Sequence, residues 1–298
     1  MKKILPCILI IIGFSASAQI PEDVLRYSFL PQTGTARSLA IGGAMGSLGG
    51  DISAAYVNPA GVGNYRTGEV AFTPGLLFNK NKFDFRGTSG NNSRNAFDFG
   101  LLGVALGSTD AYNKKRSNSV VFAISQTANF NNTRYYKGYN NYSSYAEQWA
   151  EQLSASGQTL DQALNNPSFA FGTAPAIYTY LVDTFSVNGN LQVKALPEFA
   201  LTGGNALLQE KNVKSSGGIY ELAFSYAANF DEKFLIGFTA GVPILNYKNT
   251  STYSETDTSA NTRNRFGSFT YSDEFSAKGA GVNLKFGVIY KPQEYIRL

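Results

Sequence analysis

The fold is decided by residues 220–244, which read YELAFSYAANFDEKFLIGFTAGVPI. On both sides of Asp231 and Glu232, large apolar side chains stand at every second position, and mainly Gly, Ala, Ser, Thr and Asn stand between them. Such alternation predicts two antiparallel strands joined by a tight turn. Each strand lasts about ten residues or more, which is enough to cross a bilayer when tilted. A soluble β-sandwich has shorter strands with charged groups facing water, so the pattern predicts a membrane-spanning β-barrel instead.

The same alternation recurs elsewhere in the chain, around residues 69–78, 97–106, 120–127 and 282–290. Within 97–106 the apolar positions change parity, which predicts a β-bulge near Gly100 or Gly103. Long and short polar connections take turns along the chain: 80–95, 108–118, 131–214, 229–233, 248–275 and 291–294. Transmembrane barrels have long outer loops and short periplasmic turns. The predicted fold class is therefore all-β, a transmembrane antiparallel β-barrel with a partly helical long outer loop.

The first residues have the pattern of a secretory signal peptide, predicted to span 1–18. Its removal would take away Cys7, the single cysteine, and the chain has no histidine. Disulfides, thiol chemistry, histidine metal sites and Ser-His-Asp catalysis are then excluded. The net charge of +4 would fall to +2, which is too weak to indicate a nucleic-acid partner. We therefore predict no catalytic residue, no metal and no cofactor, and a protein that is not an enzyme.

A stretch with little side-chain area precedes the first strand. Residues 36–63 read ARSLAIGGAMGSLGGDISAAYVNPAGVG, and Arg37 and Asp51 are the charged residues among them. Such a segment cannot offset its own ordering entropy, so it must pack inside something else. The strands that follow predict that it lies inside the barrel, with residues 19–66 as a plug. Its glycines fit neither G-x-G-x-x-G nor G-x-x-x-x-G-K-[ST], which argues against a nucleotide site.

The stretch ends in Asn58-Pro59-Ala60, and here the chain resembles the FadL-type outer-membrane transporters of long-chain fatty acids and other hydrophobic compounds. In that family an N-terminal hatch with an Asn-Pro-Ala motif plugs the barrel lumen. The resemblance is specific over Ala36–Gly63 and generic along the strands, and the abundance of Asn, Tyr and Ser resembles the Bacteroidota variety. It implies that Asn58, Pro59 and Ala60 form the hatch motif, with Pro59 as a stiff corner.

The resemblance also implies a function, the passive uptake of hydrophobic compounds across a Gram-negative outer membrane. The partners would be long-chain fatty acids, detergent-like lipids, outer-membrane lipid and lipopolysaccharide, and the full-length protein would be a monomer. Family members capture their substrate on outer loops and pass it to a pocket inside the barrel. A side opening then releases it when the hatch rearranges.

The segment 131–214 is long for a loop and rich in apolar residues. Its pattern predicts short helices, the last of them over 174–185. Helical outer loops form the first substrate groove in the resembled family, which gives four candidate substrate-binding residues: Trp149, Leu153, Tyr178 and Leu181. The alternative is that Trp149 and Leu153 only pack the loop against itself.

Two other functions stay open at this point. Some members of the superfamily are shuttle components of protein secretion in Bacteroidota and carry no small molecule. The other alternative is a general diffusion porin, in which Lys285 and Glu221 on the lumen-facing side of their strands would line a polar channel.

About six full strands can be counted, fewer than a family barrel contains, and a barrel in lipid must close. The sequence is therefore expected to be the N-terminal part of a longer protein, with closure by oligomerisation as the weaker alternative. The predicted organisation is a signal peptide (1–18), a hatch (19–66) and the first part of a barrel (67–298) with an extracellular insertion (131–214). The expected location is the outer membrane.

Overall fold

The computed structural model describes residues 21–29, 31–113, 115–259, 261–293 and 296–298, so the predicted signal peptide lies outside the described residues. The strands, in chain order, are β1 (Glu69–Phe85), β2 (Thr88–Thr109), β3 (Ser117–Asn129), β4 (Asn132–Asn140), β5 (Val182–Val187), β6 (Asn190–Ala195), β7 (Leu207–Phe230), β8 (Phe234–Asp257), β9 (Ser268–Ala280) and β10 (Asn283–Tyr290). The α-helices are α1 (Pro21–Ser28), α2 (Ala36–Ala40), α3 (Ala54–Val57), α4 (Glu147–Ser156), α5 (Leu160–Leu164) and α6 (Thr173–Tyr178). Short 3-10 helices lie at Pro59–Asn64, Pro167–Phe169, Leu196–Gly204 and Thr262–Asn264. Antiparallel strands therefore dominate the chain, in agreement with the predicted all-β class.

The main sheet is an antiparallel meander in the order β1-β2-β3-β7-β8-β10. β4 continues the position of β3, since β3 pairs with residues 218–229 of β7 and β4 with residues 207–215. β9 continues the position of β10 along β8 in the same way. Within the described residues the edge strands β1 and β9–β10 do not pair with each other. Closure of the strands into a barrel thus stays a prediction.

The two faces of this sheet differ in their exposure. One face, the open face, carries exposed apolar side chains along its whole width: Val70, Phe72, Leu76, Phe78, Phe97, Leu102, Val104, Leu106, Phe122, Leu222, Phe224, Tyr226, Phe230, Phe234, Ile236, Val242, Ile244, Leu284, Phe286, Val288 and Tyr290. The other face, the covered face, includes the fully buried Leu101, Val121 and Leu235. Successive side chains of a strand point to opposite faces. The observed exposure alternates in this way, so the two faces predicted from the sequence are confirmed. An apolar surface of this extent marks a site of contact with a membrane or another protein.

Two local predictions are confirmed. Thr73 pairs with Leu101 and Pro74 with Phe99, so Gly100 is the extra residue of a β-bulge. The chain turns from β7 into β8 at Asp231 and Glu232, which have positive φ angles of 53° and 61°. Both features keep large apolar residues on the open face while the strands change direction or register.

The predicted loop at 80–95 is wrong, because β1 and β2 form one long hairpin that turns at Arg86 and Gly87. Most side chains in this part are polar, and Phe83 and Phe85 alone do not make the sustained apolar alternation on which the prediction relies. The backbone ladder does not need apolar side chains. For the same reason β8 and β9 extend into 248–275, and β4 and β7 extend into both ends of 131–214, leaving 141–206 as the insertion.

The insertion has its own hydrophobic core, formed by α4, α5, α6 and the β5–β6 hairpin, and β9 packs against it. The predicted helix over 174–185 ends at Tyr178, and Val182–Val187 is the first strand of the hairpin. Asn188 and Gly189 make its turn, both at positive φ. Asn-Gly is a strong signal for a two-residue hairpin turn, and the sequence interpretation missed it. None of the helices in the described part of the chain is both long enough and apolar enough to span a membrane.

One buried carboxylate, that of Glu255 in β8, fastens the insertion to the sheet. It accepts hydrogen bonds from the Tyr145 N–H (2.7 Å), Gln209 Nε2 (2.8 Å), the Tyr253 hydroxyl (2.7 Å) and the Ser144 hydroxyl. Glu255 is fully buried. Two of these donors lie at the start of the insertion, so the carboxylate sets where the insertion leaves the sheet.

We expect Glu255→Leu to loosen the insertion. The substitution takes the acceptor away from the Ser144 and Tyr253 hydroxyls and from the Tyr145 N–H, whereas Gln209 Nε2 keeps the Ser143 carbonyl oxygen (3.1 Å). Each buried donor left without an acceptor costs about 1–3 kcal/mol. The measurement is limited proteolysis, with cleavage within 141–206 at a protease concentration that leaves the unaltered chain intact. Glu274→Leu is the matched control, because Glu274 is exposed and its ion pair with Lys248 is of a kind that contributes little to stability. Equal cleavage of the two variants would contradict the role of Glu255.

Candidate functional site

The Asn58-Pro59-Ala60 corner fits into a notch between two strands. Gly237 of β8 and Gly287 of β10 are cross-strand partners at this point. A Cβ atom on Gly237 would lie 2.3 Å from the Pro59 carbonyl carbon, and one on Gly287 would lie 1.9 Å from Asn58 Oδ1. The two glycines therefore allow the corner to touch the backbone of the sheet.

Asn58 holds the corner in place by three hydrogen bonds. Its Nδ2 donates to the carbonyl oxygens of Gly46 (2.6 Å) and Val288 (3.2 Å), and its Oδ1 accepts from the Ala60 N–H (3.1 Å). Pro59 follows as the first residue of the 3-10 helix Pro59–Asn64, where its missing N–H costs no hydrogen bond. Asn58 is extended, as expected for a residue before proline.

Residues 31–66, called the plug segment here, lie on the covered face. Ser117 and Ser119 of β3 donate their hydroxyls to the carbonyl oxygens of Gly63 (3.0 Å) and Val62 (2.7 Å). The apolar contacts form one buried cluster, which contains Ile52, Ala54, Ala55, Val62 and Tyr65 of the plug segment and Leu101, Ala105, Val121, Ala123 and Ala227 of the sheet. Small side chains on both sides let the two backbones approach closely.

Lys285 and Glu221 lie on the same face, as predicted, and form an ion pair of 2.6 Å that reaches from β10 to β7. Asn283 Nδ2 donates to the same carboxylate oxygen (2.9 Å). Tyr56 of the plug segment covers the pair, since its hydroxyl donates to the Glu221 carbonyl oxygen (3.0 Å) and Lys285 Nζ lies 5.7 Å from its ring centre. Only 5 % of Glu221 is exposed. At this level the two charges therefore face protein and not an open channel.

The end of the plug segment is fastened by charged groups near the β7–β8 turn. Arg66 forms an ion pair with Glu232, and Lys291 Nζ donates to Asn64 Oδ1 (3.2 Å). Burial lowers the pKa of the Lys291 ammonium, and the neighbouring Arg297 and Arg66 lower it further by repulsion. These contacts hold the C-terminal end of the plug segment, in addition to the corner that Asn58 holds.

A cavity of about 590 Å³ lies where the first residues of the plug segment meet the sheet, and we call it the seam cavity. Its lining is mostly polar and includes Arg26, Thr33, Asn79, Asp98, Gln126 and Asn131. Tyr247 forms an aromatic wall, with the Arg26 guanidinium carbon 4.6 Å from its ring centre. Tyr27 and Phe130 pack edge-on against the same ring. The cavity thus combines amide groups with an aromatic cluster.

The wall of the sheet is interrupted beside this cavity. Residues 88–99 of β2 pair with β1 alone, and β4 pairs with β7 alone, so no backbone ladder joins β2 to β4 in the described residues. The β2–β3 ladder begins only at Leu101 and Ser125. We call this interruption the seam. In the part of the main sheet that the structure describes, strands can therefore separate at the seam without breaking a ladder.

Side chains close the seam in place of backbone hydrogen bonds. Side-chain amide and guanidinium groups of β1 and β2 donate hydrogen bonds to backbone carbonyl oxygens on the other side of the seam. The pairs are Asn79 to Asn131 (2.7 Å), Asn81 to Thr133 (2.6 Å), Asn92 to Thr133 (2.8 Å), and Arg94 to Asn132 (3.2 Å) and Ser215 (2.8 Å). From the other side Gln126 Oε1 accepts from the Phe99 N–H (3.0 Å). Each of these bonds contributes about 1 kcal/mol, as a backbone hydrogen bond does, so the seam differs from the rest of the described wall in having no ladder and not in having weaker bonds.

Sequence reasoning missed the seam residues. The asparagines of 80–95 have the composition of a loop, and their partners lie in a strand inside the predicted insertion. A hint was present, because asparagine is rare inside strands and several stand between 79 and 95. Only the tertiary pairing shows that they face a gap.

The four predicted substrate-binding residues do not form one surface. Trp149, Leu153 and Leu181 are buried in the core of the insertion, where the Trp149 ring packs against Tyr145 and Tyr271. Trp149 and Leu153 therefore pack the insertion against itself, which is the alternative that the sequence left open. Tyr178 is 79 % exposed, so it is the one member of the set that a molecule outside can reach.

Comparison of the chain with protein-family models, with curated proteins and with solved structures found no match. The described fold is that of an antiparallel β-sheet protein with one exposed apolar face and one face covered by a small-residue segment. Its resemblance to the FadL-type transporters stays a prediction.

Proposed function

We propose that this chain acts in the outer membrane as a plugged β-barrel that takes up hydrophobic compounds such as long-chain fatty acids. The observation that carries the proposal is the contrast between the two faces of the sheet. An apolar open face suits lipid, and a plug segment seated in glycine notches on the opposite face suits a lumen that must not leak.

The route proposed for the substrate runs from the insertion to the seam cavity and out through the seam. Lipopolysaccharide hinders the entry of hydrophobic molecules, and a water-filled pore does not favour their passage. A molecule that leaves through the seam passes from the cavity directly to the apolar open face. It does not have to cross the plug segment, which stays seated against Gly237 and Gly287 and supplies Gln32 and Thr33 to the lining of the seam cavity.

Uptake in a strain that lacks its own fatty-acid transporter tests the proposal. The full-length protein is expected to restore uptake of a labelled long-chain fatty acid, and Asn58→Ala is expected to reduce it. Loss of hydrogen bonds worth ~1 kcal/mol corresponds to about a fivefold effect if seating of the plug controls the active state. Asn165→Ala, at the exposed end of α5, is the control and should transport like the unaltered chain.

A diffusion porin is the second candidate, because polar groups dominate the lining of the seam cavity. Large steady currents across a planar bilayer, together with no uptake of fatty acid, would favour the porin and overturn the proposal. Almost no current across the bilayer, together with uptake of fatty acid, would favour the plugged transporter. If uptake occurs but Asn58→Ala and Pro59→Ala both leave it unchanged, the plug segment has no part in the mechanism.

A further inference from the structure

A second cavity, of about 430 Å³, lies between the β1–β2 hairpin and the strands β4 and β7. Three cationic residues line it, one from each of three strands: Lys82 of β1, Arg134 of β4 and Lys211 of β7. The remaining lining residues are Asn81, Phe83, Tyr135, Tyr136 and Val213. We call this cavity the basic groove.

The charges of the basic groove are not neutralised within the described part of the chain. Lys82, Arg134 and Lys211 form none of the ion pairs found there, and no carboxylate lines the groove. Glu210 lies beside the Tyr135 hydroxyl but outside the lining. Three like charges around one space repel each other, so the groove is more stable with an anion inside.

The walls of the groove are apolar and aromatic. The Phe83 and Tyr135 rings meet edge to face with their centres 6.0 Å apart, and Val213 adds an aliphatic side chain. A small hydrated anion would gain nothing from these rings. A ligand with a charged head and a hydrocarbon tail would use both the cations and the walls.

We propose that the basic groove binds the phosphate head group of an amphiphile. A carboxylate carries one negative charge and leaves most of the cationic charge unbalanced, whereas a phosphate monoester approaches two negative charges above its second pKa of about 6. Arginine also matches the geometry of phosphate oxygens by paired hydrogen bonds. The inference goes beyond the proposed function, because uptake of fatty acids does not require this groove.

Binding of decyl phosphate to the full chain in a neutral maltoside detergent tests the inference, measured by calorimetry at pH 8. We expect decyl phosphate to bind about tenfold or more tightly than decanoate, and to weaken as salt screens the charges. Inorganic phosphate alone should bind at least tenfold more weakly than decyl phosphate, because it cannot use the apolar walls. Binding is measured without transport, so it can succeed or fail independently of uptake.

The double variant Arg134→Gln/Lys211→Gln is expected to lose this binding by about a hundredfold, the effect of two charge-assisted contacts of ~1.4 kcal/mol each. The matched control is Lys137→Gln/Lys214→Gln, which removes an exposed cation three residues further along each of the same strands and outside the groove. Equal thermal unfolding of the two double variants shows that both are folded. Equal affinity for decanoate and decyl phosphate, equal affinity for inorganic phosphate, or an equal loss in both double variants would each overturn the inference.

Discussion

Gly237→Ala is expected to unseat the plug segment. The new Cβ atom would lie 2.3–2.5 Å from the backbone of Pro59 and Ala60, and backbone atoms cannot move aside as a flexible side chain does. Overpacking of this kind costs about 1–3 kcal/mol. The cost falls on the contact between the plug segment and β8, so the segment should leave its seat far more often while the strands stay paired.

Thiol labelling can measure this unseating without background labelling of native cysteines, because Cys7 is the only cysteine in the sequence and lies in the predicted signal peptide. Val62→Cys supplies a reporter at a fully buried position between plug segment and sheet. Gly237→Ala should raise its labelling rate by about tenfold or more, which corresponds to ~1.4 kcal/mol. Gly279→Ala is the matched control, since Gly279 is also in a strand and a Cβ there would meet no atom within 4 Å. Equal labelling rates for the two alanine variants would mean that the glycine notch does not seat the plug.

Locking the seam is expected to stop uptake. Asn81→Cys and Asn132→Cys would place two thiols where Asn81 Nδ2 now donates to Asn132 Oδ1 at 2.7 Å. A short bifunctional thiol reagent would then tie the β1–β2 hairpin to β4. Because the proposed exit requires these strands to separate, uptake should fall by about tenfold or more, as when a required opening motion is blocked.

The control for the lock is the pair Thr252→Cys and Ser272→Cys, whose parent hydroxyl oxygens lie 3.4 Å apart. These residues are partners in the β8–β9 ladder, which already holds the strands together, and they lie outside the seam. Cross-linking them should leave uptake unchanged. Full uptake with a locked seam would exclude the seam as the exit, and the substrate would then have to pass the plug segment.

The strands could be predicted where apolar residues alternate and not where most side chains are polar. The hairpin at 220–244 and the bulge at Gly100 were accessible because burial of one face imposes a period of two on the sequence. The extensions at 80–95 and 248–257 carry no such period, so they looked like loops. The hairpin beginning at Val182 was missed since its apolar residues also fit a helix, and only the Asn188-Gly189 turn distinguishes the two.

The sequence by itself determined the all-β class, the two faces of the sheet and the presence of a small-residue segment with a stiff corner at Pro59. These follow from local rules, because side-chain period and backbone restriction act over a few residues. Only the tertiary structure decided that Gly237 and Gly287 receive that corner, that asparagines and Arg94 close the seam, and that Trp149, Leu153 and Leu181 are core. Such contacts join residues that are far apart in the chain, and their geometry depends on the strand register, which no single segment contains.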